Sequence, residues 1–330
     1  MAPLLLTPVP FHALPHPMRF GTIAIVGRAN VGKSTFLNAA LGEPLAIVSP
    51  LPQTTRDTLL GVVHGDDAQL AFLDTPGLHR EKNELGRRMN QSAREAVRAA
   101  DVMLFVTDVH HLVVGSKATR PALDAEDVRL IEELGTKVPA VAAVNKIDLL
   151  RDRTRLIPML EALNKARSFE AIVPVSLKQK KDVTRLLEVL AEVVPEGPAG
   201  YDEDMLTNRP TSFFVREYVR EAVLGGARGE VPHAVAVSID SYDDGPKLVR
   251  VEATVHVEKT GQRAILVGKG GTKLKEIGTQ ARLRIEAFVG KKVFLKLFVR
   301  ITPRWKSVPR QLAELGYEAE KKRGKEEGSR

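Results

Sequence analysis

Gly27-Arg28-Ala29-Asn30-Val31-Gly32-Lys33-Ser34 has the spacing of a loop that cradles a phosphate chain. An apolar run over residues 20–26 precedes it and a helical pattern follows, giving the strand, loop and helix order that this chemistry needs. Glycines let the backbone wrap phosphates with inward N–H groups, a lysine reaches the outer phosphates, and a serine hydroxyl holds Mg²⁺. Gly27, Asn30, Val31, Gly32, Lys33, Ser34 and Thr35 are therefore assigned to nucleotide contact, and Lys33 also to neutralising charge on the transferred group.

Asn145-Lys146-Ile147-Asp148 follows a second apolar run, residues 138–144, at the strand end where open α/β sheets bind ligands. A carboxylate at Asp148 accepts hydrogen bonds from the ring N–H and the exocyclic amine of guanine, and adenine offers neither, so the nucleotide is GTP. Asn145 is expected to tie this loop to the phosphate loop, and the Lys146 stem to lie over the base. Asp74-Thr75-Pro76-Gly77 places a carboxylate near Mg²⁺ and the Gly77 N–H near the γ-phosphate. In Thr54-Thr55-Arg56-Asp57, Thr55 reaches the metal only while the γ-phosphate is present, which makes that loop a sensor. The metal ligands are thus Ser34, Thr55 and Asp74, and Ser176, Leu177 and Lys178 support the guanine carbonyl. With five motifs in order, each at a strand end, residues 20–194 resemble the translation-factor-related GTPases.

Phosphoryl transfer asks chiefly for positioning and charge neutralisation, here from Lys33, Thr55, Gly77 and the loop amides. Ras-like enzymes carry a water-orienting glutamine where this chain has Leu78. Families with such a replacement are slow alone, and several bind K⁺ through a phosphate-loop asparagine, the position of Asn30. Arg56 reads as a solvated loop residue and is not assigned a catalytic role.

These motifs need a scaffold. Strand-like runs at 20–26, 59–64, 69–73, 102–107, 138–144 and 171–175 alternate with helical spacings at 34–41, 83–99, 124–134, 154–165 and 183–194. The pattern predicts an α/β fold, a mostly parallel six-stranded sheet with helices on both faces. Pro195-Glu196-Gly197-Pro198 and the acidic Asp202-Glu203-Asp204 mark a linker, 195–210. A second, α+β module spans 211–303, residues 1–18 form a flexible extension, and 304–330 form a charged tail that frays from Gln311 onward. The 330 residues contain no cysteine, so disulfides and thiolate chemistry are excluded. No apolar run is long enough to span a bilayer. The expectation is a cytoplasmic monomer, with a peripheral contact at the inner membrane left open.

Charge is unevenly placed. Residues 1–209 hold 25 Lys/Arg against 26 Asp/Glu, whereas 262–310 hold 13 against 2, which points to a polyanionic partner. Within that basic stretch Gly268-Lys269-Gly270-Gly271 forms a Gly-x-x-Gly loop ahead of a helix bearing Lys273, Lys275, Arg282 and Arg284. A nucleic-acid backbone can approach such a loop closely, and Ile265, Leu266, Ile277 and Leu283 are candidate walls for unpaired bases. Burial is expected for Trp305.

The helix, strand, strand, helix, helix, strand order is that of a type II KH domain. Joined to the GTP-binding half, and opened by Val231-Pro232-His233, it closely resembles the Era family of GTPases over residues 20–303. The resemblance implies binding to the unpaired 3′ end of small-subunit ribosomal RNA and a role in maturing that subunit. Two departures are the proline-rich extension before Arg19 and the long stretch 110–122, whose two histidines read as exposed. Competing readings are an RNA-binding module with an inert nucleotide domain, a GTPase acting on another RNA, and a small-molecule phosphotransferase.

Overall fold

A computed structural model of the protein describes residues 18–51, 53–113, 122–135, 137–227 and 230–317. The extension before Met18, most of the 110–122 stretch and residues 318–330 lie outside the described residues.

The first half is built on a six-stranded sheet in the order β2-β3-β1-β4-β5-β6. Its strands are β1 (Arg19–Val26), β2 (Leu59–His64), β3 (Ala68–Asp74), β4 (Val102–Asp108), β5 (Ala140–Asn145) and β6 (Ala171–Pro174). All neighbours pair in parallel except β2 with β3. Strands β4 and β5 are buried at every residue, as a sheet covered on both faces requires. One face is covered by α1 (Lys33–Leu41) and α6 (Lys180–Val193), the other by α2 (Glu84–Ala99), α4 (Ala125–Leu134) and α5 (Leu156–Ala166). A one-turn helix, α3 (His110–Val113), follows β4. Because the parallel strands point the same way, the loops after β1, β3, β5 and β6 gather at one sheet edge.

The second half has α7 (Thr211–Gly226), β7 (Ala236–Asp244), β8 (Leu248–Val257), α8 (Thr260–Val267), α9 (Thr272–Val289) and β9 (Lys292–Ile301). The sheet order is β7-β8-β9, antiparallel then parallel, so β9 is an edge. Phe214, Tyr218, Val249, Val251, Ile277 and Ile285 are among its buried side chains, each worth about 1.5–3 kcal/mol relative to exposure.

Residues 195–210 run along the first sheet: the Gln69 side chain accepts from the backbone of Gly200 and Tyr201, and Val62 N donates to Leu206 O at 2.9 Å. One expectation is corrected: the chain does not fray at Gln311. A short helix, α10 (Pro309–Glu314), buries Leu312, followed by buried Leu315 and Tyr317, and these pack with Trp305 against Leu85 and Met89 of α2. Trp305 is fully buried, as expected, and donates from its indole to Ala234 O at 2.9 Å.

Candidate nucleotide site and nucleic-acid cleft

A cavity of about 500 Å³ opens at the strand ends, lined by Asn30, Lys33, Ser34, Thr35, Thr55 and Gly77 among others. Gly32 caps α1 in a left-handed conformation, φ 114°, and a Cβ there would stand 2.4 Å from Asn145 Nδ2. Glycine is thus required both by backbone and by close approach. Lys33 is nearly buried and donates to the carbonyls of Gly27 and Arg28 at 3.1 and 2.8 Å. Burial lowers its ammonium to about 8, partly offset by Asp74.

Ser34, Thr55 and Asp74 converge. The Ser34 hydroxyl lies 2.9 Å from Thr55 Oγ1 and donates to Asp74 Oδ2 at 2.7 Å. Asp74 is fully buried, with its carboxyl pushed up to about 6 by that burial against the opposing pull of Lys33 and Ser34. Its second oxygen, Oδ1, is buried without a partner. An orphaned carboxylate oxygen beside two hydroxyls fits a hard, oxygen-seeking Mg²⁺ that also takes phosphate oxygens. Among the described residues no group of three His, Cys, Asp or Glu side chains could hold a metal instead.

Asn145 donates from Nδ2 to Val31 O at 2.7 Å, while its Oδ1 accepts from Lys146 N and Leu177 N. It therefore joins the phosphate loop, its own loop and the Ser176 loop into one frame. Lys146 adds a bond to Asn30 O at 2.8 Å and an ion pair with Asp108 at 2.5 Å. The Asp148 carboxylate accepts from Ser176 Oγ at 2.8 Å and pairs with Lys178 at 3.1 Å. Burial raises that carboxyl, but Ser176 and Lys178 more than offset it and hold it below the ordinary range, charged and ready for two donors.

The remaining residues around the site fall as follows. Asn30 is left-handed, φ 65°, and its amide donates to Pro50 O at 2.7 Å, so it steadies the sensor loop. His110 is exposed, as expected, and lines the mouth of the nucleotide cavity, whereas His111 is half-buried and contacts Ala122 O. Leu78 is buried, leaving no polar side chain at that position to aim a water. Arg56 is not solvated: only 6% exposed, it donates to Val235 O at 2.6 Å and lies over the rings of Trp305 and Tyr317.

The second concavity, about 360 Å³, lies between α9 and β9. Gly268, Gly270 and Gly271 all have positive φ in the turn ahead of α9, and a Cβ on Gly270 or Gly271 would meet open space, leaving the backbone accessible. From Gly271 the lining residues Leu274, Lys275, Gly278, Thr279 and Arg282 recur at helical spacing, facing Leu295 and Leu297. Lys275 and Arg282 are thus brought to the cleft, and Lys273 packs beside Gly268 with its ammonium on Glu276. Arg284 is not. It donates to Pro44 O, stacks 4.4 Å over the Tyr218 ring and pairs with Glu221. The proposed walls also move: Leu266 and Ile277 are buried in the core, while Ile265 and Leu283 are exposed outside the lining. Counting from Gly271 in steps of three and four would have found the true face.

Gly270→Asp with Gly271→Asp places two carboxylates where a phosphodiester must approach. We expect oligoribonucleotide affinity to fall by at least about a hundredfold while GTP affinity changes less than about twofold, checked by fluorescence anisotropy and calorimetry.

A family model described as 50S ribosome-binding GTPase matches residues 22–146, and a KH domain model matches 230–306. GTPase Era of Syntrophus aciditrophicus is 40% identical over 300 residues, covering 90% of this chain and 94% of that protein. GTPase Era of Xanthomonas oryzae is 40% identical over 304 residues, 92% of this chain and 98% of its own. Two solved structures superpose with TM-scores of 0.83 at 33% identity over 91% of this chain. One is a single-residue variant of Aquifex aeolicus Era bound to GDP·AlF₄⁻, covered completely; the other is Era with MgGDPNP and nucleotides 1506–1542 of 16S ribosomal RNA, covered to 99%. With a Mg²⁺-fitting guanine nucleotide site and a Gly-x-x-Gly cleft on one chain, this protein belongs to the Era family of GTPases, which hydrolyse GTP and carry an RNA-binding KH domain.

Proposed function

We propose that the chain is a GTP-driven switch whose KH cleft holds the 3′ end of small-subunit ribosomal RNA, and that it acts in maturation of that subunit. The assigned units are a GTPase domain at 19–194, a linker at 195–210 and a KH domain from 211, with Lys33, Thr55, Gly77 and Asn30 serving hydrolysis. The observation that carries the switch is the position of Thr55. Its hydroxyl touches Ser34, yet its neighbours belong to the KH side: Thr54 O accepts from Arg220, Arg56 donates to Val235 O, and Asp57 pairs with Arg216 at 2.6 Å. A loop that must close on metal and γ-phosphate cannot move without pulling on α7, which packs against α9 of the cleft.

The choice of RNA is supported by the 33% identical Era that binds nucleotides 1506–1542 of 16S ribosomal RNA, and by the Lys275 and Arg282 lining of the cleft. Asn30 keeps a carboxamide oxygen that accepts no hydrogen bond among the described residues, and K⁺ at that oxygen would supply the positive charge that an arginine finger supplies in other GTPases. Phosphate release is expected to rise in K⁺ over Na⁺ and again when the 16S 3′ segment is added. Turnover that ignores both additions would reduce the nucleotide domain to a structural anchor.

A further inference from the structure

The two faces of β9 differ. Val293, Leu295, Leu297, Val299 and Ile301 turn toward the helices, whereas Lys292, Phe294, Lys296, Phe298 and Arg300 alternate on the outer face and are all exposed. Phe294 and Phe298 are 55% and 42% exposed, an unusual cost for two phenyl rings on a sheet. At a rise of about 3.3 Å per residue they stand about 13 Å apart, roughly the reach of two extended nucleotide steps. Lys296 holds its ammonium 4.8 Å over the Phe298 ring while pairing with Glu252 at 3.2 Å. The nearby Asp240 carboxylate is occupied by Ser238 and Thr254 hydroxyls at 3.0 and 2.6 Å. Arg263 and Arg300 make no ion pair among the described residues, and with Phe298 they line a concavity of about 660 Å³ that runs from Asp240 of β7 and Thr254 of β8 to Val299 and Ile301 of the edge strand β9.

From this arrangement we infer a second binding site on the KH domain: the outer face of β9 takes single-stranded RNA that leaves the cleft and passes round the sheet edge. Phe294 and Phe298 stack bases, and Arg263, Lys292 and Arg300 meet phosphates. Continuity supports this occupant, since the same strand supplies Leu295 and Leu297 to the cleft and the edge concavity begins one residue further on. Interleaved rings and cations match a polyanion with π-faces, and bind it with little regard to sequence. The inference rests on the reading that the cleft holds RNA, which accommodates about four nucleotides alone.

The test compares unpaired six- and twelve-nucleotide RNAs sharing one cleft sequence, titrated against the full chain. Phe294→Ala with Phe298→Ala removes only exposed rings, so the fold is retained. The twelve-mer is expected to lose about tenfold or more in affinity while the six-mer is unchanged, and Arg300→Gln to lower the salt slope for the twelve-mer alone by about one. Equal losses at both lengths, or none at the longer, overturn the site. An unchanged twelve-mer combined with weakened binding to small ribosomal subunits would assign the stripe to a protein partner and also overturn it. Should Gly270→Asp with Gly271→Asp leave six-mer binding intact, the cleft reading is what has failed.

Discussion

Replacing Asp148 by Asn should cost GTP roughly two to four orders of magnitude in affinity and turn the preference toward xanthosine triphosphate. Guanine presents two donors, the ring N–H and the exocyclic amine, to one carboxylate. An asparagine amide meets one of them with a donor of its own, setting two donors face to face. Xanthine carries a carbonyl in place of the amine, and the new amide can donate to it. The surroundings tolerate the change: Ser176 can still donate to the remaining oxygen, and Lys178, 75% exposed, can turn to solvent. Competition calorimetry with GTP, ATP and XTP decides the matter. Unaltered guanine selectivity in the variant would place base recognition elsewhere, for instance in the backbone around Leu177.

What can be read from the chain alone follows from whether a residue sits in a motif whose spacing fixes its place. Lys33, Ser34 and Asn145 are legible because each lies within a turn of a strand end, where residue type and spacing nearly fix position even when the partner, such as Val31 for Asn145, is distant in sequence. The alternation of periods likewise discloses the sheet, since buried strands β4 and β5 allow few polar residues. Arg56 and Arg284 mislead for the opposite reason. Their partners, Val235, Tyr317, Pro44 and Tyr218, lie between about 66 and 261 positions away, and nothing in the local sequence says that a cation there will be desolvated. The cleft falls between these cases. Its Gly-x-x-Gly turn is legible, but of the apolar residues nearby that look like its walls, Leu266 and Ile277 are claimed by the core and Ile265 and Leu283 lie outside the lining. The polar and small positions, Gly278 and Thr279, are what α9 turns outward.

The same distant contacts give the second large effect. Arg220 is 1% exposed and held by Glu217, 10% exposed, within α7; burial opposes both charges, but each keeps the other ionised. Removing one partner, as in Glu217→Ala, strands a buried cation and should cost about 3–5 kcal/mol of stability, read in a denaturant titration. Removing both, as in Glu217→Leu with Arg220→Met, replaces the pair by apolar volume and should restore most of that loss. The double variant is the informative one, because it keeps the fold and cuts the bond from Arg220 to Thr54 O that ties the sensor loop to the KH side. If nucleotide state reaches the cleft through this bond, the wild-type ratio of RNA affinity between a non-hydrolysable GTP analogue and GDP, expected within the ~5–150-fold range of ordinary couplings, falls toward one. Reciprocity then demands that RNA no longer tighten the analogue, a second measurement on the same protein. A double variant that folds normally and keeps the full ratio would show that Arg56 and Asp57 carry the coupling without Arg220, moving the test to Arg216, the α7 partner of Asp57.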